Sequence, residues 1–223
     1  MKVARLYRSA LATAVSTAFL GCAFFNKSDP VVLRYFTPEA IGASPDPPGP
    51  APAMATATRQ SSLELRVGRV NAASYLKDRI AFRDKSFEIG FYDELRWTEK
   101  PEAYLRRALA RALFEEQGIH QIVYGPGPTL DVDLDAFEEL RSPRHAARMQ
   151  VTWALSDDER VQIQETFAVE HPIPSGGPSG PDAIAVAMGQ AFEDSVQRVV
   201  ARVMVALSRG APPRDVPVAG GGK

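Results

Sequence analysis

The stretch Leu130-Asp131-Val132-Asp133-Leu134-Asp135-Ala136-Phe137-Glu138-Glu139-Leu140 opens the part of the chain that decides its fold. Val132, Leu134 and Ala136 alternate with Asp131, Asp133 and Asp135, the period of a strand with one buried and one wet face. Two further alternating runs follow, Ala146 to Leu155 and Val161 to Val169, with Asp157-Asp158-Glu159 as the turn between them. Long alternating runs joined by short polar turns predict an antiparallel meander. The alternation also accounts for the three aspartates without calcium chemistry, which needs a loop.

Upstream of the meander, Leu105, Leu109 and Leu113 recur every four residues from Lys100 to Gln117, flanked by Ala108 and Ala112. This predicts an amphipathic helix with Pro101 in its first turn and Gly118 as its C-cap. Ile119 to Tyr124 reads as a strand, closed by Gly125-Pro126-Gly127-Pro128. Further back, Leu63 to Val70 alternates as a strand, and Asn71 is placed to cap a short helical turn through Tyr75, Leu76 and Lys77. Ile80 to Arg83 and Phe87 to Tyr92 form a hairpin around Asp84-Lys85-Ser86.

Val31 to Phe36 is another β-branched and aromatic run, and the proline-dense loop 38–60 after it is expected to be extended and solvated. Downstream, Ile184, Met188, Phe192, Val196, Val199, Val203 and Leu207 make one stripe of a helix from Asp182 to Leu207. The Gly- and Pro-rich tail 210–223 is expected to be disordered. The class is therefore α/β: a mixed, largely antiparallel sheet in one domain, 31–209, with two main amphipathic helices that need their apolar faces covered.

The whole chain has 223 residues, with 26 Lys and Arg against 27 Asp and Glu, 45% hydrophobic residues and a single cysteine. This balance excludes a basic nucleic-acid binder, a disordered acidic chain and a disulfide scaffold. The solitary Cys22 follows Lys2, Arg5 and Arg8 and the uncharged run Ser9 to Leu20, which is the length of a secretory h-region and too short to span a bilayer. Phe19-Leu20-Gly21-Cys22 resembles the bacterial lipoprotein signal, which implies cleavage between Gly21 and Cys22 and acylation of the cysteine. Residues 1–21 are then a signal peptide and 22–30 a lipid-anchored tether. Removing the signal lowers the basic count from 26 to 23 against an unchanged 27 acids, a net of −4. In lipoproteins of two-membraned bacteria an aspartate after the cysteine marks inner-membrane retention, so with Ala23 there the resemblance implies sorting to the periplasmic face of the outer membrane.

Val67-Gly68-Arg69-Val70, then Tyr75-Leu76-Lys77-Asp78-Arg79, and Arg96-Trp97 ahead of the first helix resemble the ABC-type transport auxiliary lipoproteins, the PqiC-like accessories of MCE systems. Tyr35-Phe36-Thr37 and the stretch from Asp131 to Phe137-Glu138 add to the likeness. The resemblance implies a three-layer α/β/α-type domain that is not an enzyme and carries no cofactor beyond the lipid on Cys22. It also implies an MCE-domain protein and an ABC-type permease and ATPase as partners, assembly into rings, and the movement of lipids or other hydrophobic compounds between two membranes. Tyr75, Leu76, Arg79, Arg96 and Trp97 are the family-motif or interface candidates.

Catalytic patterns do not emerge from the residues. His120, His145 and His171 have no metal-ligand spacing, Ser175 to Gly180 lacks the Gly-Lys-Ser/Thr ending of a phosphate loop, and no Gly-x-Ser-x-Gly elbow occurs. Two other readings stay open: an envelope-assembly or adaptor lipoprotein with a TolB-like α/β domain, and an exported hydrolase built on His120 or His145.

Overall fold

The computed structural model describes residues 31–39, 63–157, 160–174 and 180–210. Gly21 and Cys22, the signal and tether segments, the proline-rich stretch from residue 40 to 60, Asp158 and Glu159, residues 175–179 and the tail beyond Gly210 lie outside the described residues. The chain divides into two compact units: residues 1–32, of which Val31 and Val32 are described, and Leu33 onward, which carries every element named below.

In chain order the elements are β1 (Arg34–Phe36), β2 (Glu64–Ala72), β3 (Arg79–Lys85), β4 (Glu88–Trp97), α1 (Pro101–Ala110) continued by a π-helical stretch (Arg111–Glu116), β5 (His120–Gln121), β6 (Thr129–Leu140), β7 (Ala146–Ser156), β8 (Val161–Pro172) and α2 (Pro181–Gly210). The expected meander is present. β6 pairs with β7 along its whole length and β7 with β8, both antiparallel.

β6 is the spine of the sheet because its other edge is shared. β2 runs parallel to its first half, Arg66↔Thr129 to Ala72↔Leu134, and β3 parallel to its end, Ala81↔Glu138 to Arg83↔Leu140. β4 and then β1 extend the sheet beyond β3, while β5 adds to β2. Between the two halves, β6 bulges at Leu134 to Ala136. An inserted residue shifts the side-chain phase, so Phe137 joins Leu130, Val132 and Leu134 in the apolar core.

One core lies between the sheet and both helices. Every residue of the expected α2 stripe is buried, as are Leu105, Leu109 and Leu113. Trp97 stacks on Phe137 at 5.0 Å and 16°, and Phe137 meets Phe192 of α2 at 6.2 Å. The α/β class, the mixed sheet with long antiparallel ladders and the two amphipathic helices are as expected. α1 and α2 touch each other and share one face of the sheet, so the described residues form two layers rather than three. The opposite face is polar, with Thr152 Oγ1 donating to Asp135 Oδ2 at 2.6 Å and lying 2.8 Å from Thr166 Oγ1.

Local expectations change at four places. Asn71 caps no helix: β2 stays on its ladder with β6, and Asn71 Nδ2 donates to Asp133 Oδ1 at 3.0 Å. Ala73 to Asp78 is a turn, with Leu76 N donating to Ala73 O. The strand expected over Ile119 to Tyr124 shrinks to His120–Gln121, because past Leu65 β2 bulges and its Gly68 carbonyl accepts from Arg106 Nη2 of α1 at 2.8 Å. Phe87 sits in the β3–β4 turn rather than in the strand, and β1 is shorter than the apolar run that suggested it.

The helix over Lys100 to Gln117 ends as expected, at Gly118 with φ +66, but its last turns are π-helical. Residues four apart drift about 40° per step around an α-helix, and the wider turns rotate Leu113 back toward the core. Among the described residues no helix is long and apolar enough to cross a membrane.

Candidate functional site

The motif residues marked in the sequence converge on the join between β3, β4 and β6. Arg79 and Arg96 are direct cross-strand partners, an arrangement that repels unless each charge is compensated. Arg79 pairs with Asp93, and Arg96 Nε lies 3.6 Å from Asp78 Oδ2. Both then donate to the carbonyl of Tyr92, Arg79 through Nε at 3.1 Å and Arg96 through Nη1 at 2.9 Å. That carbonyl lies in the stretch between Phe91 and Arg96 where β4 bulges away from β3, so the two arginines satisfy a backbone group the ladder leaves unpaired. Leu76 and Trp97 are 4% and 2% exposed and belong to the core.

Tyr75 reaches across to β6, its hydroxyl donating to the Asp135 carbonyl at 3.1 Å. Burial, followed by the charge of Glu138, pushes its phenol up to about 12. Glu138 is fully buried and takes a bidentate hydrogen bond from Arg83, Nε to Oε1 at 2.7 Å and Nη2 to Oε2 at 3.0 Å. The hydrogen bond to Glu138 in turn pushes the Arg83 guanidinium up. The next residue, Glu139, points to the other face and is 2% exposed. It accepts from Tyr92 Oη at 2.5 Å and Arg141 Nε at 3.3 Å, and its Oε1 lies 2.6 Å from His145 Nε2. Burial and then this hydrogen bond push the Tyr92 phenol up to about 12. Gly90 lets the Phe82 ring lie flat on β4, where a Cβ would meet the ring at 2.3 Å. Arg141 covers that ring at 3.4 Å.

These groups neutralise one another, and they hold strands in register. None presents an activated nucleophile next to a free base. His120 is exposed and His145 is bound to Glu139, so the structure does not bring the two histidines into one constellation. Among the described residues no group of three or more His, Cys, Asp or Glu stands close enough to hold a metal ion.

The concave surface lies elsewhere, along the first half of α2. A cavity of about 640 Å³ is walled by Thr37, Pro38 and Glu39 on one side and by Arg111 and Glu116 of the π-helical stretch on another. Ala185, Val186 and Gly189 form its floor. The π turns bring Arg111 and Glu116, five residues apart, within 3.4 Å. Glu39 is held by Arg107 Nη2 at 3.1 Å. A second hollow of about 340 Å³, lined by Pro172 and Pro174, continues past Val186, which is 62% exposed. The groove thus has an apolar floor and a charged rim.

Sequence reasoning missed the groove and the two buried carboxylates. One signal was available: Gly189 lies within α2 beside the apolar stripe, and a glycine inside a helical pattern can mark a close approach. Here its missing Cβ would stand 3.0 Å from the Pro38 carbonyl. Cys22 and Gly21 lie outside the described residues.

Among the described residues, fold and site together define an α/β scaffold whose buried carboxylates hold strands in register and whose concave surface is the groove over α2. The chain matches the family described as the ABC-type transport auxiliary lipoprotein component over residues 46–200, more than half its length, and it belongs to that family. Among solved structures, a Xanthomonas campestris protein of the DUF330 family superposes with a TM-score of 0.60 at 24% identity, covering 68% of this chain and 89% of that one. An uncharacterized protein superposes with a TM-score of 0.53 at 17% identity, covering 63% of this chain and 92% of that one. At these identities the likeness is one of fold. No curated protein matches the chain.

Proposed function

We propose that the chain is a non-catalytic accessory of an ABC/MCE-type transport system that moves lipids or other hydrophobic compounds between the inner and outer membranes. Cys22, exposed by cleavage after Gly21, carries the acyl chains and holds the domain on the periplasmic face of the outer membrane. Two or more acyl chains are needed for stable anchoring, each buried methylene contributing roughly 0.8 kcal/mol. The partners are an MCE-domain protein and, through it, an ABC-type permease and ATPase, with several copies of the chain assembling as a ring.

The observation that carries this reading is the family match across residues 46–200. The placement of the motif residues agrees with it, since Arg79, Arg96, Tyr75 and Trp97 hold the scaffold and leave the surface to do the binding. The groove over α2 is the contact surface in this reading, because an apolar floor with a charged rim is the make-up of a protein interface. The test is co-purification of the lipidated chain with the MCE-domain protein from detergent extracts. Retention of that protein is expected, and its absence with the lipid intact overturns the reading. Cys22→Ser is expected to leave the chain unprocessed or out of the membrane fraction, read by fractionation and mass.

A further inference from the structure

We propose that the free edge of β8 is the docking site for a second copy of this chain, the two β8 strands running antiparallel about a twofold axis at Thr166 to join both sheets into one. The inference goes beyond the transport reading and uses none of it.

The direction of the backbone groups follows from the register. Just past β8, Ile173 N donates to the His145 carbonyl at 3.0 Å, in the same register that sets Thr152 opposite Thr166. Hydrogen-bonded and open pairs alternate along an antiparallel ladder. Odd-numbered residues of β8 therefore bond to β7, while Gln164, Thr166, Ala168 and Glu170 turn their N–H and C=O groups outward. The Thr152 and Thr166 hydroxyls, 2.8 Å apart, show the close approach of an open pair. Among the described residues β8 pairs with β7 alone, and these four residues are exposed.

Long open edges are ordinarily blunted by proline, lysine or a central bulge. The other outer strands, β1 and β5, are three and two residues long, whereas β8 has twelve. From Val161 to His171 there is no proline, lysine or glycine, and the one register shift with β7 falls at the Val161 end. Both acids of the strand are already compensated, Glu165 by Arg202 at 3.7 Å and Glu170 by Arg144 at 3.8 Å.

The strand complements itself, and this selects a second copy as the occupant. A twofold at Thr166 sets Gln164 opposite Ala168, Ile163 opposite Val169 and Val161 opposite His171, with the whole strand overlapped and about six backbone hydrogen bonds from the three central pairs. Glu165 then faces Phe167 of the second copy, a ring that lies 4.7 Å under Arg198, so each Glu165 gains a second cation. A twofold at Glu165 would instead oppose two acids. The flank of α2 agrees: Asp194, Arg198 and Arg202 lean on His171, Phe167 and Glu165. On that flank stand exposed Ala201 and Val205, the latter 48% exposed. Two strand spacings separate the two α2 helices, about 10 Å, a helix-packing distance that covers both residues. A twofold contact closes on itself, so a ring needs a different surface.

The test uses the full chain in detergent, with sedimentation and amide exchange followed across protein concentration. A monomer–dimer equilibrium is expected, with exchange at Gln164, Thr166 and Ala168 slowing as dimer forms. Thr166→Lys and Thr166→Glu, which oppose like charges at the axis, should each weaken dimerisation about fivefold, and an equimolar mixture of the two should restore it. Thr166→Pro should abolish it without shifting the melting temperature, because that N–H does not bond to β7. A chain that stays monomeric with fast exchange at the three amides overturns the pairing. Protection of these amides at every concentration means that the chain covers its own edge, and protection only on adding the MCE-domain protein assigns the edge to that partner; either overturns it. Dimers indifferent to both charge variants place the contact elsewhere, which also overturns it. None of these outcomes bears on co-purification with the MCE-domain protein, the test of the transport reading.

Discussion

The join of β3, β4 and β6 and the groove over α2 use the same residue types for opposite ends. At the join, fully buried Glu138 is held by partly exposed Arg83, and Arg79 and Arg96 are tied to Asp93, Asp78 and the Tyr92 carbonyl. At the groove, Arg111, Glu116 and Glu39 sit at the rim of an apolar hollow whose floor includes half-exposed Val186. Polar groups closed on each other inside the protein hold an architecture; polar groups left around uncovered apolar surface can select a partner. The residues that carried the resemblance in the sequence stand mostly in the first region, and they do not point to the groove.

Substitutions separate the two regions by their size of effect. Trp97→Ala removes the ring stacked on Phe137 and opens a cavity in the shared core. It is expected to cost about 3–5 kcal/mol, read as a fall in the denaturant midpoint. Glu138→Ala takes the bidentate acceptor from Arg83, whose side chain is 21% exposed, and a loss of roughly 2 kcal/mol is expected. Replacing both, with Arg83→Met and Glu138→Leu, should recover much of it; if the double variant is no better than Glu138→Ala, the pair does not act as a unit.

Alkaline titration probes the same join more gently. The phenols of Tyr75 and Tyr92 are raised to about 12 from an unfolded value near 10. Raised values mean that the folded state holds these protons more tightly. The stability they contribute is complete below pH 10 and is lost as the pH rises through about 12. Denaturant midpoints should fall across that window, and less so in Tyr75→Phe. Phenolate absorbance at pH 10 in folded protein that falls when Tyr75 and Tyr92 are replaced by Phe would break the assignment.

The groove should answer differently. Val186→Asp lies on an exposed position and is expected to change stability by no more than about 0.5 kcal/mol, while reducing recovery of the MCE-domain protein proposed as partner in co-purification. A folded variant that binds unchanged removes the groove from the contact surface.

Much of the fold was legible because its signals are local. The alternation from Leu130 onward survives in β6, β7 and β8, and the stripe from Ile184 to Leu207 is buried along its length. The failures have a common cause. Asn71 has the local chemistry of a helix cap, but the ladder with β6 claims its backbone and Asp133 its side chain. Glu138 and Glu139 carry no local mark of burial, since their partners Arg83 and Tyr92 lie 55 and 47 residues away. Tyr75 and Leu76 lie in a turn rather than a helix, Arg79, Arg96 and Trp97 lie in strands longer than their local pattern suggested, and their roles came from cross-strand neighbours.

The sequence by itself determined the class of elements, the two apolar helix faces and the resemblance to the family, because periodicity and short motifs act over a few residues. Tertiary structure alone decided that both helices share one face, that a bulge in β6 turns Phe137 inward and that Thr37 to Glu39 closes a groove against Gly189. Burial and charge pairing depend on which distant segments meet, and only the folded chain brings those together.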